Sequence, residues 1–303
     1  MTNDNRRSFL KSAIGAAAGL ALADQIRAEG QKPQSGGPLL KLSLAAYSFN
    51  RYLSLKGKTK PTMTLEDFVR FAVEQNLEAI EPTSYYFADT SDAYLGRFRT
   101  MCTRQGLDIS GTAVGNDFCK LNAADLEKEK ASVKQWIDRA AILGAKTIRI
   151  FAGTLPKGDD EETARTRCAA AIQQACEYAA KFGIILALEN HGGITATPEQ
   201  LLAIVQKVNH PNFGVNLDTG NFHTADPYGD LEKIAPLAVV VQLKTEIQAK
   251  GKTKEDADLT RLTGMLRKVN FRGYVALEYE AAEDPKTGVP KALTQLRRAM
   301  VPG

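Results

Sequence analysis

From Leu39 onward the chain repeats one unit, a short apolar run followed by a segment long enough for a helix. The runs are Leu42–Tyr47, Ala79–Glu81, Ile109–Thr112, Thr147–Phe151, Ile184–Glu189, Gly214–Asp218, Val239–Leu243 and Tyr274–Glu278. Hydrophobicity that is continuous along a short run marks a strand covered on both faces, as in a parallel sheet flanked by helices. Eight such strands with intervening helices match a single closed (β/α)8 barrel, an α/β fold of the TIM type, over residues 39–303. An open doubly wound sheet would carry a glycine-rich phosphate loop after an early strand. The nearest candidate, Ser110-Gly111-Thr112-Ala113-Val114-Gly115, lacks the third glycine and a following helix signal, so a dinucleotide fold is rejected.

Helix punctuation agrees with this spacing. Thr64 is placed to cap a helix, with Asp67 three residues on and Phe68, Phe71 and Ala72 on one face. Ser132 to Leu143 carries Val133, Trp136, Ile137 and Ala140 at helical spacing and stops at Gly144. Trp136 therefore belongs to a packed stripe. Thr197 precedes Pro198, the residue favoured at a first helical position.

The N-terminus is distinct. Asn5-Arg6-Arg7-Ser8-Phe9-Leu10-Lys11 precedes a mildly apolar stretch from Ser12 that ends in Ala21-Leu22-Ala23. Paired arginines, weak hydrophobicity and an A-x-A site describe a twin-arginine export signal over residues 1–23, which predicts a periplasmic or otherwise exported protein. The apolar stretch is too short to span a bilayer, so no stable membrane insertion is expected after cleavage. Residues 24–38, rich in Gly, Gln and Pro towards their end, read as a tether. Cleavage would remove Arg6, Arg7, Lys11 and Asp4 and lower the formal charge of +4 by two. Near-neutral charge gives no electrostatic case for nucleic acid. Cys102, Cys119, Cys168 and Cys176 have no metal-ligand spacing and read as core residues.

The chemistry lies where the runs end. Glu189 closes one run, Asp218 the next, Gln242 sits late in the third and Glu278 ends the fourth. Barrel enzymes build their sites at these C-terminal strand ends. Buried carboxylates must be compensated, and three of them with an amide point to one divalent metal ion. The competing arrangement is a buried ion-pair network in which Lys244 and Arg149 hold the carboxylates.

The stretches ALENHGG, TPEQLLAIV, FGVNLDTGNF, VVVQLK and GYVALEYE resemble the sugar phosphate isomerase/epimerase family, which has a xylose-isomerase-like barrel and includes the ketose 3-epimerases. The resemblance covers essentially everything after the tether. It implies metal ligands at Glu189, Asp218, Gln242 and Glu278, with Glu189 and Glu278 also acting as the catalytic acid/base pair. Gln242 stands where the epimerases have histidine, which makes the donor set all-oxygen and suits Mn²⁺ or Mg²⁺ better than Zn²⁺. Asn221 stands where related sequences carry a further histidine, with His223 close by.

The implied activity is isomerisation or epimerisation of an unphosphorylated sugar or keto-sugar by proton transfer through an enediolate, without a redox cofactor. A lyase or dehydratase acting on a 3-keto-glycoside or inosose shares the proton abstraction and is the alternative. A non-catalytic sugar- or metal-binding barrel is the second alternative. An endonuclease IV-like phosphodiesterase needs more histidines than His191, His210 and His223 supply. Substrate contacts are expected from His191, Lys244, Asn221, His223, Glu81 and Tyr47, with Phe49, Tyr85 and Tyr86 as candidate walls. Many relatives are dimers or tetramers, which is compatible with a homo-oligomer, but no segment of this chain marks an interface.

Overall fold

Each apolar run becomes a strand of one parallel sheet because its outward side chains are buried under helices. A computed structural model describes residues 36–56 and 60–301, so the expected signal and most of the expected tether lie outside the described residues. The compact unit begins at Pro38. Its strands are β1 (Leu39–Ala45), β2 (Ala79–Glu81), β3 (Asp108–Ile109 and Thr112–Ala113), β4 (Thr147–Ile150), β5 (Ile185–Glu189), β6 (Phe213–Asp218), β7 (Ala238–Leu243) and β8 (Arg272–Leu277). The helices between and after them are α1 (Leu65–Glu74), α2 (Asp92–Arg104), α3 (Ala123–Leu143), α4 (Glu161–Ala179), α5 (Pro198–Val208), α6 (Pro227–Ile234), α7 (Leu259–Lys268) and α8 (Pro285–Met300). A one-turn helix, Asn50–Leu53, follows β1, and a small antiparallel pair, Glu246–Ile247 with Glu255–Asp256, follows β7.

Pairing runs β3-β2-β1-β8-β7-β6-β5-β4 and returns to β3, so the sheet begins and ends in one segment and closes into a cylinder. The third run is interrupted at Ser110-Gly111 because its first half pairs with β2 and its second with β4. Gly111 is required there, since a Cβ would collide with Thr147 Oγ1. Gly111→Ala is expected to cost about 1–3 kcal/mol through overpacking, read as a fall in Tm; an unchanged Tm would show that the closure is not tight.

Alternation sorts the strands into two faces. Leu186 and Leu188 of β5, Val215 and Leu217 of β6, Val241 and Leu243 of β7, and Val275 and Leu277 of β8 are buried towards the helices. The intervening residues face the barrel interior. Ser43 of β1 and Ser110, at the break in β3, share a buried hydrogen bond of 2.8 Å. The four cysteines are all buried and unpaired, in agreement with their assignment to the core.

Helix ends follow the expected punctuation. Thr64 and Thr197 each form a capping box, with Asp67 and Gln200 respectively. The helix expected from Ser132 begins earlier, at Ala123, where Asn122 accepts hydrogen bonds from Ala124 N and Asp125 N. Its first turns are largely exposed and so carry no apolar stripe. The first strand ends at Ala45 rather than Tyr47, which lies in a 3-10 turn over Ala46–Phe49.

Candidate active site

Glu189 closes β5, Asp218 closes β6, Gln242 is the penultimate residue of β7, and Glu278 is the first residue after β8. Register places them around one mouth: Asp218 pairs with Gln242, Gln242 with Ala276, and Glu189 with Asn216. Glu189, Asp218, Gln242 and Glu278 are all buried, and so is Glu81 at the end of β2. Four buried carboxylates therefore face two cations, Arg149 and Lys244.

The cations divide the acids between them. Arg149 Nε lies 2.9 Å from Glu189 Oε2, and Asn221 Nδ2 donates to Glu189 Oε1 at 2.8 Å. Lys244 Nζ stands 3.2 Å from Asp218 Oδ2, 3.5 Å from Glu278 Oε2 and 3.0 Å from Glu280 Oε2, and it donates to Asn221 Oδ1 at 2.9 Å. Gly220 makes room for this lysine: a Cβ there would approach Lys244 Cδ to 2.7 Å. The network form of the site is thus present. On the Lys244 side it includes Glu280 together with Asp218 and Glu278.

Gln242 is held on both sides. Its Nε2 donates to Glu81 Oε1 at 2.6 Å, while its Oε1 accepts from Asn216 Nδ2 at 2.6 Å. Glu81 fixes which end of the amide points where, as a carboxylate partner fixes the tautomer of a ligating histidine. Asn190 secures the neighbouring strand end, donating to Asp218 O and accepting from Asp218 N, each at 2.9 Å. The sequence gives no signal for that clamp, because an asparagine one residue beyond Glu189 looks like any loop asparagine.

Of the residues expected to contact substrate, Lys244, Asn221 and Glu81 join the network. Tyr47 stands at the mouth, with its phenol pushed up by burial and then by Glu280 and Glu278. His191 packs against Phe151 in a tilted arrangement, 4.4 Å between ring centroids, and it is Arg149 and Asn221 that hold Glu189. His223 is exposed on the rim, with Nδ1 3.4 Å from Gln248 O.

The donor chemistry fits a divalent metal ion. The two cations leave the buried carboxylates undercompensated. Asp218 Oδ2 and Asn216 Oδ1 are buried without hydrogen bonds, and the Gln242 oxygen retains a second lone pair. Among the described residues no three Asp, Glu, His or Cys side chains form a ready ligand set, and Lys244 and Arg149 stand among the carboxylates. Glu189, Asp218, Gln242 and Glu278 are the residues that would hold the ion.

Burial raises the Glu189 carboxyl to about 8, with Arg149 pulling down and Asp218 pushing up. Burial likewise lifts Glu278 well above the usual range, against the pull of Lys244. A carboxyl raised on folding stabilises the fold fully below its unfolded value of 4.5 and loses that contribution as pH climbs towards 8. A bound cation would replace the lost protons. The gain in Tm on adding Mn²⁺ is therefore expected to be larger at pH 8 than at pH 5, and a pH-independent gain would contradict this account.

The sequence profile of the xylose isomerase-like TIM barrel family matches residues 69–299. A putative hydroxypyruvate isomerase of Homo sapiens is 23% identical over 244 residues, which are 73% of this chain and 86% of that one. A 3-dehydroshikimate dehydratase of Bacillus anthracis is 26% identical over 207 residues, 65% of this chain and 69% of that one. The structure of D-psicose 3-epimerase with D-tagatose from Clostridium cellulolyticum H10 superposes with a TM-score of 0.68 at 13% identity, covering 86% of this chain and 99% of that chain.

Proposed function

Since the chain belongs to the xylose isomerase-like TIM barrel family, we propose that it is a divalent-metal-dependent enzyme that isomerises or epimerises an uncharged sugar or keto-sugar. The observation that carries this is the placement of Glu189 and Glu278 on β5 and just after β8, separated by β6 and β7. The two carboxyl groups approach the mouth from different sides. Asp218, Gln242 and Lys244 lie between them.

In this reading one glutamate removes the proton on the carbon next to the carbonyl, and the other returns a proton to the opposite face. A bound Mn²⁺ or Mg²⁺ would supply Lewis-acid polarisation of the carbonyl and its neighbouring hydroxyl. Arg149 and Asn221 fix the Glu189 carboxylate, so its reach towards substrate is set by β4 and the loop after β6. Glu81 orients Gln242. Lys244 offers an ammonium on the same side as Asp218 and Glu278. Two cations and one divalent ion would balance the four buried carboxylates, which favours an uncharged substrate over a phosphorylated one.

Elimination of a leaving group after the same proton abstraction is the second reading, supported by the relative named a dehydratase. Incubation with free ketoses and with 3-keto-glycosides, followed by product identification, separates the two. A stereoisomer of the substrate supports the isomerase, and an unsaturated or cleaved product replaces it with the lyase. The N-terminal twin-arginine pattern supports function in an exported compartment, tested by fractionating cells that express the full chain.

A further inference from the structure

Beside the barrel mouth lies a cavity of about 570 Å³, bounded by Ser84–Thr90 after β2, Val114–Asn116 after β3, and one side of α3. Resting on the enolising function proposed above, we propose that this cleft is a subsite for an uncharged second sugar ring, so that the reacting keto-sugar is part of a glycoside.

Position is the first support. Val114 belongs to both places: it lines the cleft together with Tyr85, and its carbonyl accepts at 3.1 Å from the Arg149 guanidinium that holds Glu189. A substrate whose reacting carbon faces Glu189 can thus extend over Tyr85 into the cleft. Segments after β2 and β3 form the rim on the same C-terminal face as the acids.

Lining chemistry is the second. Half-buried Tyr85 supplies aromatic surface, backed by the buried Phe87 and Trp136, and Ser84, Ser132 and Asn116 supply neutral polar groups. Aromatic surface beside neutral hydrogen-bonding groups suits a pyranose ring, which has apolar faces and a polar perimeter. The charged residues at the edge have partners within the protein. Lys56 Nζ lies 5.4 Å from the Tyr85 ring centroid, the Arg139 guanidinium lies 5.9 Å from that of Trp136, and Glu129 accepts from Asp117 N at 3.1 Å. Each charged group is thus engaged within the protein, which leaves the neutral groups to meet an occupant.

Rigidity is the third. Trp136 Nε1 donates to Thr112 Oγ1 at 3.3 Å, and Asn116 both donates to Phe151 O and accepts from Phe151 N, at 2.7 and 2.9 Å. The walls are therefore set before anything binds, which limits the ordering cost of binding.

Trp136 is the only tryptophan of the chain, so its emission reports on this cleft. The full protein would be titrated with cellobiose, maltose and sucrose, using glucose as the one-ring control. At least one disaccharide is expected to shift Trp136 emission and to bind about tenfold or more tighter than glucose. Ser132→Phe, a substitution at an exposed α3 position that fills the cleft, is expected to remove that gain and leave glucose binding unchanged. No disaccharide preference, or a preference that survives Ser132→Phe, would overturn the subsite. Deuterium exchange into a free ketose is read in parallel: exchange without a second-ring effect removes the subsite alone, and a second-ring effect without exchange removes the enolising function alone.

Discussion

Replacing Glu278 with glutamine is expected to lower turnover by about 10²–10⁴-fold, the usual contribution of a positioned acid or base, while the barrel stays folded. The substitution keeps the side chain's shape and removes its proton-transfer capacity. It also takes one carboxylate from a cluster in which buried acids outnumber cations. Lys244 keeps Asp218 and Glu280 as partners, so no buried cation is left unpaired. Tm is therefore expected to hold or rise, and circular dichroism melts read beside activity separate a catalytic loss from unfolding. Glu189→Gln should be equally inactive but less stable, because Arg149 is almost fully buried and loses its only ion-pair partner among the described residues. Activity within about tenfold of the parent in either variant would remove the two-glutamate mechanism.

Lys244→Met is expected to have the largest effect on stability. The ammonium is the shared partner of Asp218, Glu278 and Glu280. Burial alone would lower its proton affinity, but these acids outweigh burial and raise it, so the lysine stays charged. Removing one side of a buried pair typically costs about 3–5 kcal/mol, because the charges left behind stay desolvated. Asp218 is fully buried and cannot turn to water, and Glu278 is nearly so. Thermal melts of the metal-free variant should show the loss, and added Mn²⁺ should recover part of it by compensating the same carboxylates. A metal-free variant as stable as the parent would mean that Lys244 does not hold the acids.

The outward faces of the strands were legible because burial under helices demands apolar residues there. Leu186, Val215, Val241 and Val275 sit where the runs place them, Glu189 and Asp218 end β5 and β6, and Gln242 lies one residue before the end of β7, as their positions imply. What a side chain at a strand end is bonded to is a tertiary fact. Gln242 and Glu81 are 161 residues apart, and the amide type alone does not distinguish a metal ligand from a hydrogen-bonded spacer. The break in β3 was hidden for a related reason: Gly111 yields to Thr147 on the next strand, a contact that local propensity does not encode. The first turns of α3 escaped because an exposed helix start shows only its cap, Asn122.

The most direct measurement is proton NMR in D2O with free ketoses and 3-keto-glycosides, recorded on the purified protein once loaded with Mg²⁺ and once stripped of metal with EDTA. Deuterium should appear on the carbon next to the carbonyl of at least one uncharged substrate with metal present and disappear with metal removed, and Glu189→Gln and Glu278→Gln should both lose it. No exchange with any of these substrates, from protein shown by calorimetry to bind the metal, would contradict enolisation and leave a sugar- or metal-binding barrel in its place.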